Sequence, residues 1–315
     1  SDLFDILDIS DFLGGKILKT IIGILFLLYF IFFSATLLKS FAYCLQIIYY
    51  PNTNTFFIII LFLIATIFAC NLKYNAIYRS NLLTIPFVIL SILILFLGNI
   101  GDFTFANAFP LFGNGINETF FSGMSNLFAF QGLLYIFFLP PKLKDVTELK
   151  KITILSISFS ALYLIISVAV ILFLFDADVS NILLMPLYSA VRYIEFGSFF
   201  QRLDSIFILT WIISFVSYLS ITLQTCCSIF KKITTISSLK LSTLLISFLI
   251  LVVTFFISTY AVSTFLTEIV YKYAFFTILI LSILILLIAS LFRYFKRRQL
   301  YNIQTKNNTL VGGTQ

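Results

Sequence analysis

The chain has no histidine among its 315 residues, and only 10% of them are charged. Without histidine, haem ligation, histidine-centred proton relays and most zinc chemistry lose their usual ligand. The four cysteines, Cys44, Cys70, Cys226 and Cys227, show no metal-ligand spacing and read as small apolar fillers. There are no paired carboxylates and no Ser–His or Cys–His arrangement, so hydrolytic and redox catalysis have no basis here. The expectation is a non-enzyme with no cofactor and no metal. The opening SDLFDILDISDFLGGK has neither a basic n-region nor a small-residue cleavage site, so it is no secretory signal. It begins with Ser1 and leads directly into an apolar run, and it reads as the interior of a longer chain.

What the sequence does hold is apolar. Hydrophobic residues make up 61% of it and the mean hydropathy is +1.09, the balance of a polytopic α-helical membrane protein. A helix needs about 20 apolar residues to cross the hydrocarbon. Runs at 21–38, 56–72, 82–97, 119–139, 152–175, 205–229, 241–264 and 273–292 give eight expected spans. They form a single membrane domain, 1–315, that closes with a cytosolic tail at 299–315. The basic residues test this reading independently. With a cytosolic N-terminus, sixteen lysines and arginines fall inside, and only Lys39, Arg192, Arg202 and Lys272 fall outside. That is the positive-inside pattern, and it places both termini in the cytosol. The net charge of +7 then reflects basic helix ends meeting anionic membrane lipid, and it implies no nucleic-acid partner.

None of the expected spans has an Asp, Glu, Lys or Arg in its core. Coupled pumps usually carry such a group, so an autonomous proton-driven transporter is disfavoured. The fourth span is polar in another way: it holds Ser122-Gly-Met-Ser-Asn-Leu-Phe-Ala-Phe-Gln-Gly132. Backbone groups cannot stay unpaired in lipid, so this cluster has two readings. One is a discontinuous helix whose freed backbone binds a small polar ligand near the midplane; the other is a small-residue seam for close packing. On the first reading, regular hydrogen bonding fails between Gly123 and Gly132. The ligand wall is then Ser125, Asn126, Phe128, Ala129, Phe130, Gln131 and Gly132. The sixth span adds Thr210, Ser214, Ser217 and Gln224 on one helix face, beside the only tryptophan, Trp211. Ser214 and Ser217 are expected to face the break, unless these hydroxyls serve packing or bond their own i−4 carbonyls. Between the fifth and sixth spans, 186–204 reads as an interfacial amphipathic helix, either a lid or a surface connector.

Three stretches together resemble the B-subunit family of bacterial spore germination receptors, within the amino acid–polyamine–organocation transporter superfamily. They are Phe109-Pro-Leu-Phe-Gly-Asn-Gly-Ile116, Ser125-Asn-Leu-Phe-Ala-Phe-Gln-Gly132 and Ile194-Glu-Phe-Gly-Ser-Phe-Phe-Gln-Arg-Leu-Asp204. They are similar to the family's Pro-x-x-Gly-x-Gly loop, its Leu-Phe-Ala-Phe-x-Gly break and its Glu-x-Gly-x-Phe-x-x-Arg-x-Asp run. The resemblance implies an all-α, transporter-like inverted-repeat bundle with one discontinuous helix, this chain aligning with helices three to ten of ten. Where the superfamily often continues the break with an aromatic and an acid, Leu133 and Leu134 stand here. By resemblance the protein is a germinant-sensing subunit in the inner spore membrane. It would bind a small-molecule nutrient such as an amino acid and act with receptor A and C subunits. A working amino-acid permease and a purely structural membrane subunit are the alternatives.

Overall fold

The structure, a computed structural model, describes residues 4–71, 74–110, 112–113, 115–140, 146–194, 203–234, 236 and 238–311. The third motif therefore lies largely outside the described residues, as do positions 141–145 of the connector before the fifth span.

The acidic opening has a local purpose. Asp5 accepts hydrogen bonds from the Leu7 and Asp8 N–H groups, and the Asp8 carboxylate accepts one from the Asp5 N–H. This reciprocal cap starts α1 (Ile6–Tyr49) well ahead of the first apolar run. Gly14 and Gly15 break that helix, and Gly15, at φ 64°, takes a backbone shape that other residues rarely adopt. A short leg precedes the kink and a long membrane leg follows it.

The chain then runs through α2 (Thr55–Cys70) and α3 (Tyr74–Gly98). Next come α4 (Ile116–Ser125) and a 3₁₀ segment (Leu127–Phe138). After them follow α5 (Val146–Leu174), the short α6 (Ala177–Ile182) and α7 (Pro186–Arg192), and α8 (Leu203–Ile233). The last part holds α9 (Leu239–Phe256), α10 (Tyr260–Leu266), a π turn (Thr267–Tyr271) and α11 (Lys272–Val311). Among the described residues, seven helical runs are long and apolar enough to cross a membrane, and α2 is a shorter apolar helix of 16 residues. This is an all-α polytopic membrane protein.

Two stretches differ from the sequence expectation. The run at 241–264 is not one helix: α9 stops at Phe256, and Ile257 turns extended at φ −80°, ψ 95°. Thr259 then caps α10 by accepting from the Val262 N–H at 3.3 Å. A threonine that can cap offers the backbone an alternative to continuing the helix. From Tyr260 the chain reads as one apolar run to Phe292. The segment expected as a tail is helical as far as Val311.

The core forms where α1 and α8 cross, flanked by α2 and α9. Gly23 permits the crossing, since a Cβ there would stand 2.6 Å from Ile233 Cγ2. At that end of the bundle Lys232 donates to Asp5 at 2.7 Å and to Asp8 at 2.7 and 2.8 Å. The short leg of α1 is thereby pinned to the end of α8. Burial pushes the Asp5 carboxyl above its ordinary range, opposed by the hydrogen bond from Lys232.

Candidate functional site

The α-helical ladder of the fourth span ends at Asn126, whose N–H reaches back to both the Ser122 and Gly123 carbonyls at 3.1 Å. From there the pairing tightens: the Ala129 N–H bonds the Asn126 carbonyl at 3.0 Å, and Phe130 departs from helical angles at φ −90°, ψ 23°. A 3₁₀ run of 12 residues is far longer than the three or four usually tolerated, and such stretches mark hinges or functional strain.

With three residues per turn, positions i and i+3 eclipse. The residues expected to form one ligand wall therefore divide between faces. Phe128, Gln131 and Leu134 turn toward the core: Phe128 packs on it, Leu134 is fully buried, and Gln131 Oε1 accepts from the Tyr29 hydroxyl at 3.1 Å. Asn126, Ala129 and Gly132 are exposed, and a Cβ at Gly132 or Gly123 would meet nothing within 4 Å. Within this chain neither glycine is a packing seam. Ser125 is half-buried and bonds the Ser122 carbonyl at 2.9 Å; Phe130 is half-buried with no bond to the core that distinguishes it.

The stripe on α8 also divides. Thr210 bonds the Ile206 carbonyl, as Ser220 does that of Val216, which is ordinary i−4 satisfaction. Ser214 does otherwise: its Oγ is buried without a partner, as is Gln224 Nε2. Ser217 is half-buried. The fourth span and α8 run in the same direction through the bundle, and Tyr135 meets Tyr218. Ser214 lies four residues, about one α-helical turn, before Tyr218 on α8.

Sequence reading missed the residues that join these elements. The Tyr135 hydroxyl lies 2.5 Å from Thr222 Oγ1 and donates to the Tyr218 hydroxyl at 3.4 Å. Phe30 stacks on Tyr135 with centroids 5.0 Å apart, and Phe33 meets the Tyr218 ring edge-on at 5.6 Å. Tyr29, Tyr135 and Tyr218 thus gather with Gln131 between α1, the 3₁₀ segment and α8. A signal was available: tyrosine belongs at membrane interfaces, and all three lie inside apolar runs. Chemically, this is a neutral box of hydroxyls, one amide and aromatic faces. Such a box can hold an ammonium over ring faces and a carboxylate on hydroxyl and backbone donors, without a charge of its own.

A family model described as Spore germination protein (Spore_permease) matches residues 3–257. Spore germination protein KB of Bacillus subtilis (strain 168) is 25% identical over 217 residues, which are 65% of this chain and 56% of that protein. The chain thus spans little more than half the length of that curated relative. No solved structure matches it. The family match extends from the cap of α1 to the end of α9 and takes in every residue of the candidate site. The chain belongs to the spore permease family of spore germination proteins, the receptor B-subunit family that its motifs resemble.

Proposed function

We propose that this membrane subunit senses a small zwitterionic nutrient, such as an amino acid, in the space between α1, the 3₁₀ segment and α8, and that occupancy triggers germination. The observation that carries this reading is the meeting of Tyr29, Gln131, Tyr135 and Tyr218 along the 3₁₀ segment into which the fourth span passes. The Ser214 hydroxyl, buried without a partner, supports it, because a buried polar group left unmade is costly unless something completes it. Ligand would replace the Tyr29–Gln131 bond or bridge it, and so bias the packing of the 3₁₀ segment against α1. Sensing without coupled transport accords with the scarcity of acidic and basic residues in the span cores, Glu268 and Lys272 of the run Tyr260–Phe292 being the exception. The subunit would work in the inner spore membrane, both termini cytosolic, with A and C subunits relaying the signal.

Spores complemented with Gln131→Leu or Tyr218→Phe variants test this, with protein level checked by immunoblot. Each change removes about one neutral hydrogen bond, about 0.5–1.5 kcal/mol, so the nutrient concentration for half-maximal germination should rise about 2- to 12-fold. Unchanged sensitivity in both well-expressed variants would place the site elsewhere. Uptake of labelled amino acid into vesicles carrying the subunit would favour a permease.

A further inference from the structure

At the end of the bundle opposite Lys232, a lateral cleft of about 760 Å³ opens between the end of α1, α2 and the start of α8. Its composition is graded. Tyr49, Tyr50, Thr53 and Ser205 stand at the mouth, while Phe62, Ala65 and Val216 line the depth. From Ser205 to Val216 the wall on α8 is about 16 Å long at 1.5 Å per residue, about half the 30 Å hydrocarbon core. The cleft is therefore about one leaflet long, with its polar residues gathered at one end. It opens sideways rather than into the protein, past the exposed Phe57, Leu61 and Leu209.

The mouth carries unfinished hydrogen bonding. The Tyr49 hydroxyl, in the cleft lining, is buried without a partner; so is Oδ1 of Asp204, which stands behind the lining, one residue before Ser205. The other carboxylate oxygen of Asp204 accepts from the Tyr188 hydroxyl at 3.2 Å. Tyr188 lies within electrostatic reach of Tyr49 and Arg192 as well as Asp204, so both signs of charge meet there. Among the described residues, no lysine or arginine lines the cleft itself. A free carboxylate oxygen selects a hydrogen-bond donor, which a primary ammonium supplies and a quaternary ammonium lacks. An anionic headgroup alone would meet Asp204 unfavourably.

We infer that this cleft is a binding site for a zwitterionic phospholipid with a primary ammonium headgroup, one acyl chain lying along α8 and the ammonium at Asp204 and Tyr49. The site is separate from the nutrient box and stands or falls without it.

Trp211, the only tryptophan, offers a readout: it packs on Phe41, which packs on Phe62 in the cleft wall. The full chain is reconstituted in phosphatidylglycerol vesicles containing a small, equal fraction of acyl-brominated phosphatidylethanolamine or phosphatidylcholine. Bromine in the cleft quenches Trp211, so the ethanolamine lipid should quench at least threefold more per mole than the choline lipid. Ala65→Phe, which fills the deep end, should abolish that excess, and Asp204→Asn should bring the two lipids close together. Equal quenching by both lipids in the unaltered chain would overturn the headgroup assignment. An ethanolamine excess that survives Ala65→Phe would overturn the location.

Discussion

Lys232→Met should destabilise the protein by about 1–3 kcal/mol, the cost of leaving a buried charged group without its partner. Asp5 is the group left behind, with only 7% of its side chain exposed, whereas Lys232 itself is a third exposed. The variant should also acquire a pH dependence whose sign is fixed. Burial already raises the Asp5 carboxyl above its ordinary value, and the hydrogen bond from Lys232 is what opposes that rise. A group raised in the folded state favours folding most below its unfolded value, about 3.9, and loses that contribution as pH climbs through the folded value. Removing Lys232 raises the folded value further, so the window widens toward neutrality. Unfolding by sodium dodecyl sulfate in mixed micelles, followed by Trp211 fluorescence, should show the variant regaining stability between pH 7 and pH 5. The unaltered chain should change much less over the same interval. A variant as stable as the parent at pH 7, or one weakened by acid, would mean that Asp5 does not depend on Lys232.

The second large effect is expected at Phe30. Its ring is 1% exposed and touches Phe26, Tyr135 and Phe138, with the Tyr135 stack at 5.0 Å. In water, Phe→Ala in a core costs about 3–5 kcal/mol, part of it from transfer out of water. Lipid tails are as apolar as the protein interior, so in a membrane the transfer part falls away and the lost packing remains. About 2–4 kcal/mol is the resulting expectation for Phe30→Ala in the same unfolding assay. Function should suffer beyond stability, because Phe30 holds the ring of Tyr135 on which the hydroxyl cluster is built. Phe30→Leu, which keeps most of the volume, should restore the fold while leaving germination weaker. If Phe30→Leu restores both equally, Phe30 serves packing alone.

How much of this could be read in the sequence follows from the range of each interaction. The failure of the fourth helix was visible because its causes, Gly123, Ser125, Asn126 and Gln131, lie within one short segment. What those residues touch was not visible, since period three replaces period 3.6 there and turns Gln131 inward while Gly132 turns out. The pairing of Lys232 with Asp5 joins residues 227 positions apart, and no local pattern encodes it. The acidic opening reads only as the interior of a longer chain leading into the first span, although Asp5 and Asp8 stand at the spacing of a reciprocal cap. The break before Tyr260 escaped because Thr259 sits among apolar residues that a hydropathy reading passes over. Hydropathy records where a chain prefers lipid. It is blind to which tyrosine meets which.

The 3₁₀ pairing of Leu127–Phe138 also sets a length. At about 2.0 Å per residue its 12 residues extend about 24 Å, whereas an α-helix would hold them in about 18 Å. Re-pairing to α would thus retract the far end by about 6 Å, close to one helical turn. Each residue would also step about 100° around the axis instead of about 120°, a lag of about 20° per position. Counted from Asn126, Gln131 would have swung by about 100°, enough to carry its amide away from the Tyr29 hydroxyl. One hydrogen bond between two helices therefore reports which of two pitches a third of the candidate site has adopted, and whatever holds that bond also holds the length of the segment.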